Sequence, residues 1–134
     1  IQLEDALSFD DTVSPVCLPS INTSIQEDSI AIATGKRWKL LSGDNIIERQ
    51  LCAGSYGHGT APGDSGGPLV MNSKSGRWFQ IGLTSFGLNN DKYLIEQDIS
   101  PGVYTNIKYY CDWIEVNTRG DSKCQNAELI DASS

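Results

Sequence analysis

The 134-residue chain carries a single histidine, His58. One imidazole cannot complete a zinc finger, and none of the four cysteines (Cys17, Cys52, Cys111, Cys124) forms a C-x-x-C pair. That pattern favours disulfides in an oxidising compartment over a metal site. Basic residues are also scarce: 10 Lys+Arg stand against 17 Asp+Glu, a formal net charge of -7. A nucleic-acid partner needs a basic face, so that class is excluded. The same balance argues against an anionic membrane surface and leaves an acidic, solubilising exterior. No apolar run is long enough to cross a bilayer. The opening "IQLEDALSFD" has early acids and no apolar h-region, so no signal peptide is read. With Ile1 in first place the chain reads as starting mid-element, and that lack says nothing about export.

Repeats, low-complexity tracts and linkers are missing too. The size fits one domain or a piece of one. Thirteen glycines suit a loop-rich β protein. Short branched or aromatic runs predict strands at 29–34, 46–54, 68–71, 77–86 and 102–107. Residues 88–101 read as a long polar connection. Residues 108–118 read as a helix, with Tyr110, Trp113, Ile114 and Asn117 on one docking face and Asn106 as its cap. Several strands and one terminal helix predict an all-β domain closed by a helix. "NTS" at 22–24 is a glycosylation sequon in a loop-like stretch, a weak sign of secretion.

One stretch carries chemistry: "GDSGGPLV", 63–70. A serine hydroxyl needs a base to become a nucleophile, and the oxyanion it creates needs donors. Neighbouring glycines let backbone amides turn inward, which makes the Gly63 and Ser65 amides candidate donors. "GDSGG" also fits G-x-S-x-G, but that elbow demands a helix after the serine. Gly66, Gly67 and Pro68 oppose one, and no histidine follows Ser65.

With "PVCLP" (15–19), "LCAG" (51–54), "TSFG" (84–87), "PGVYTNI" and "YCDWI" in the same order, "PGDSGGPLV" resembles the trypsin/chymotrypsin-like serine proteases. The resemblance implies the second, C-terminal antiparallel β-barrel of that fold, apparently incomplete, with a C-terminal α-helix. It implies an endopeptidase that acts on proteins or peptides through an acyl-enzyme, without cofactor or metal, secreted, and paired with an upstream barrel of the same protease. This family is a standard worked case of triad catalysis. Ser65 becomes the nucleophile, with oxyanion donors at Gly63 and Ser65. Asp64 resembles the acid that pairs with a new N-terminus on activation; its plain alternative is a local turn cap. Gly59, Ser85, Gly87 and Gly102 resemble substrate-binding positions. An uncharged Gly59 at the pocket base implies an apolar residue before the scissile bond.

The pattern also has gaps. The family's histidine and aspartate lie upstream of Ile1, and neither Asp5, Asp10 nor Asp11 takes over. His58, in a glycine-flanked loop, reads as an exposed histidine and not as the base. The stretch from "PVCLP" to "LCAG" is short, as though a strand or two were absent, which would leave open barrel edges. "ATGKRW" (33–38) loosely resembles a strand of the family. By resemblance Cys52 loses its partner to that gap and Cys17 pairs with an upstream segment. Another family bridge is absent at both ends, one of them Ala61. Cys111 and Cys124 remain, spaced so that a bridge ties helix to tail; free thiols are the alternative. "RGD" at 119–121 raises adhesion as a minor reading. The main alternative to a protease is an inactive homologue that acts as a binding module.

Overall fold

The computed structural model describes residues 3–33, 36–41 and 47–131. Among these residues seven strands are present: β1 (Ile30–Ala33), β2 (Lys36–Leu41), β3 (Gln50–Gly54), β4 (Pro68–Ser73), β5 (Trp78–Phe86), β6 (Gly102–Asn106) and β7 (Leu129–Ile130). Two short helices join them, α1 (Asp91–Ile95) and α2 (Cys111–Asn117). A 3-10 turn at Ile107–Tyr110 leads into α2.

The strands run β1-β2-β3-β6-β5-β4, all antiparallel, and β1 returns to pair with β4 through Ile32↔Val70 and Ala33↔Leu69. The sheet is therefore a closed six-stranded barrel, with β7 added outside β4. The all-β class with a terminal helix stands. The expected open edges do not: β1 satisfies β2 on one side and β4 on the other. β2 pairs with β1 and β3 on its two sides, as antiparallel neighbours joined by short connections can. Residues 42–46, like Thr34 and Gly35 of the "ATGKRW" stretch, lie outside the described residues.

Alternation builds the core. Along β6, Gly102, Tyr104 and Asn106 face in while Val103 and Thr105 are half-buried. Leu69 and Met71 of β4 meet Phe79 and Ile81 of β5, with Ala31, Ala33, Leu40, Ala53 and Tyr104 filling the rest. Each large side chain here stabilises the fold by about 1.5–3 kcal/mol. Alanines and Gly82 keep the interior narrow: a Cβ at Gly82 would meet Leu69 and Tyr104 Cβ atoms at 3.2–3.3 Å.

The terminal helix differs from its expected docking. Ile107 is buried and Ile114 half-buried, but Trp113 stands 65% exposed. The amphipathic period therefore overstates the face that this barrel covers. Asn106 precedes the 3-10 turn without a side-chain cap; its Nδ2 donates instead to Glu48 O at 3.4 Å. The polar connection 88–101 holds α1, capped by Asn90, whose side chain accepts from the Tyr93 amide at 3.0 Å. Local capping by a short polar side chain explains a helix where composition suggested only loop.

Candidate functional site

Ser65 lies in the loop that joins β3 to β4. Residues 64–67 form a tight turn, closed by the Gly67 amide donating to Asp64 O at 2.9 Å. Gly66, third in that turn, has φ +81, the left-handed conformation that a type II turn demands there. Gly63 has φ +106. Two glycines of "GDSGG" are thus spent on backbone geometry that a side chain would strain.

The turn is bolted to β5. The Gly66 amide donates to Thr84 O and the Thr84 amide to Gly67 O, both at 2.9 Å, and Thr84 Oγ1 adds a third bond to Gly67 O at 3.2 Å. Asp64 turns back: its Oδ2 accepts the Ala61 amide at 2.9 Å, while its own amide donates to Ala61 O at 3.0 Å. In this chain the Asp64 carboxylate caps the loop. The amides of Asp64, Gly66 and Gly67 are consumed in these bonds. Those of Gly63 and Ser65 have no acceptor among the described residues.

Ser65 opens onto a pocket of about 180 Å³. Ser85, Gly87 and Gly102 line it, so these three predicted positions meet Ser65 at one site. Ser85 falls where the β5–β6 register shifts, between Thr84 and Phe86, and such irregularities re-aim a strand. Gly102 opens β6, and a Cβ there would lie 2.7 Å from Thr60 Oγ1, so glycine keeps the wall thin. Gly59 does not line the pocket. Gln97 does, and the space beside Gly59 is taken by the Gln97 side chain. Neither Gln97 nor its neighbour Thr60 carries a sequence signal; the only hint is glycine at 54, 59 and 102, where other atoms approach closely.

His58 is exposed and turned away, its ring Nδ1 2.9 Å from Tyr56 O and its backbone paired with Ser55. It does not line the pocket of Ser65, and no carboxylate lines it either. Asp10 is occupied in a turn, where its Oδ1 accepts from the Thr12 hydroxyl and the Thr12 and Val13 amides; these bonds hold its carboxyl below the usual range. No group of three or more His, Cys, Asp or Glu that would suit a metal occurs among the described residues.

Cys111 and Cys124 are joined, with Cα atoms 5.7 Å apart. Cys17 and Cys52 are free and buried. The "RGD" stretch is a helix stop: the Gly120 amide donates to Glu115 O at 2.8 Å and the Arg119 amide to Val116 O at 3.2 Å, a Schellman pair. Its backbone is held against α2 and does not project as a free loop.

Known proteins bear on this site. The family model described as Trypsin matches residues 34–114. Atrial natriuretic peptide-converting enzyme of Rattus norvegicus is 33% identical over 141 residues, covering 86% of this chain and 12% of that protein. Tryptase of Mus musculus is 42% identical over 78 residues, 56% of this chain and 26% of its own length. Transmembrane protease serine 11A of Homo sapiens is 31% identical over 147 residues, 88% of this chain and 34% of its own length. The chain thus spans 12% of the first of these relatives. No helix among the described residues is long and apolar enough to cross a membrane.

Proposed function

The chain belongs to the trypsin family of serine proteases, and we propose that it is the C-terminal barrel of a secreted endopeptidase. Ser65 attacks a peptide carbonyl, the amides of Gly63 and Ser65 receive the oxyanion, and water later releases the acyl group. The observation that carries this reading is the alternation of amides around Ser65. The flanking ones are locked in the turn, and the two suited to an oxyanion are left over. Beside them opens a pocket walled by Ser85, Gly87 and Gly102, the proposed seat of the substrate.

The general base and its orienting acid come from an upstream barrel of the same protease, since no imidazole or carboxylate lines the pocket. Residues 1–134 are then part of a two-barrel domain. The segment that enters the barrel supports this: Leu3, Leu7, Phe9, Val13 and Val16 are all exposed, more apolar surface than a free strand needs. Asp64 would leave its cap to meet an activated N-terminus. The Cys111–Cys124 bridge and the exposed sequon at Asn22 favour the secretory route. The same missing base favours one other reading, an inactive homologue that binds partners through this barrel.

A fluorophosphonate probe on the protein from its source separates the two. Label mapped to Ser65, lost in Ser65→Ala, is expected. A folded protein that never labels would leave the binding-module reading standing.

A further inference from the structure

Gln97 brings a carboxamide to the lining of the Ser65 pocket. A Cβ placed on Gly59 would fall 1.5 Å from Gln97 Oε1 and 1.6 Å from its Cδ, so the Gln97 carboxamide fills the volume a side chain at 59 would use. Backbone packing puts it there. A Cβ at Gly54 would lie 2.5 Å from Gln97 O and 2.9 Å from Gln97 Cβ, so the absent side chain at 54 lets the two segments touch. Gln97 is 4% exposed.

Its two polar ends differ. Nε2 donates to Thr60 O at 2.9 Å, which fixes which way the amide points. Oε1 is buried and has no hydrogen-bond partner among the described residues. Native interiors rarely leave such an acceptor empty, because the group has lost water and gained nothing. The described residues that line the pocket include no charged side chain.

We infer that Gln97 sets the primary specificity of this site, with Oε1 accepting a hydrogen bond from an uncharged donor at the tip of the substrate side chain, a carboxamide or a hydroxyl. The assignment rests on Ser65 being the nucleophile of the proposed protease. It replaces the apolar preference that an uncharged Gly59 suggests. A purely apolar side chain offers Oε1 no donor. A lysine or arginine brings a full charge into a pocket with no carboxylate to meet it.

Two isosteric substrate pairs test this on the full-length product of the source gene. Peptides with Gln or Met before the scissile bond differ in the donor and hardly in length. Peptides with Tyr or Phe there differ in one hydroxyl. The donor member of each pair is expected to lead in kcat/KM by about tenfold or more. In Gln97→Met both ratios are expected to fall to about one or reverse. In Gln97→Glu the Lys-to-Gln ratio is expected to rise by about tenfold or more, since a carboxylate now meets the cation. Ratios within one preparation cancel any loss of folded enzyme. Flat ratios in the unmutated protein overturn the assignment, as does a donor preference that survives Gln97→Met. Fluorophosphonate labelling of the same unmutated sample separates the causes. Label on Ser65 with flat ratios removes the role of Gln97 alone, whereas no label removes the nucleophile and this assignment with it.

Discussion

Replacing both Cys111 and Cys124 by alanine opens the one bridge among the described cysteines, across a sequence separation of 13. The tail that Cys124 belongs to has its own attachments. The Gln125 amide donates to Leu18 O and the Ser20 amide to Gln125 O, both at 2.8 Å; the Arg77 guanidinium reaches Gln125 Oε1 at 2.9 Å. Further on, the Lys74 amide donates to Glu128 O at 2.9 Å before β7 pairs with β4. These bonds keep the native tail in place without the sulfurs, so the substitution acts mainly on the unfolded chain. A loop of this size, no longer closed, frees entropy worth about 3 kcal/mol. The midpoint of thermal unfolding is then expected to fall by about 10 °C. Urea unfolding of oxidised protein, followed by tryptophan fluorescence, measures the change directly. The slope against urea should also steepen, because an uncrosslinked chain exposes more surface. A loss below about 1 kcal/mol would refute the reasoning and mean that the unfolded tail stays near the helix unaided.

Arg119 adopts φ 55 at the position after the α2 cap, where glycine is preferred. Arg119→Gly is expected to stabilise the fold by about 0.5–1 kcal/mol, read as a rise in the urea midpoint; a fall would show that the arginine side chain contributes more than its backbone costs. Alkaline pH should destabilise the barrel. Burial raises the Cys52 thiol, and burial first, with the Asp64 and Cys52 charges behind it, raises the Tyr104 phenol against the opposing bond to Thr60. Both groups are held neutral in the fold, so their contribution is full below the unfolded values, about 8.5 and 10, and is lost as pH climbs through the raised folded ones. Cys52→Ala should delay the onset to the phenol range. A urea midpoint that stays level to about pH 11 would contradict both shifts.

The barrel was legible where strands alternate or carry branched and aromatic residues. β5 and β6 fall within the predicted runs and β4 runs two residues past its own, because their in–out period is written locally. Closure was not legible. It depends on β1 turning back to β4, a pairing of Ile32 with Val70 that no local pattern announces. The short stretch from "PVCLP" to "LCAG" read as lost strands, since length along the chain was taken for content of the sheet. Trp113 shows the converse error. Its helical spacing is sound, yet nothing among the described residues covers it.

The site divides along the same line. The turn that carries Ser65 was readable, because a serine followed by a glycine of positive φ is a contiguous device. Pocket chemistry is not contiguous. Position 59 was expected to decide what the pocket prefers, and a glycine there looked like empty apolar space. Space in a folded protein is filled by whatever approaches, and here Gly54 and Gly59 admit the backbone and side chain of Gln97. The space a side chain at 59 would use is thus taken by a residue 38 positions on, in a polar connection with no motif of its own. The inference for such pockets is general: a glycine states what is absent, and the atoms nearest its unbuilt Cβ state what takes that place.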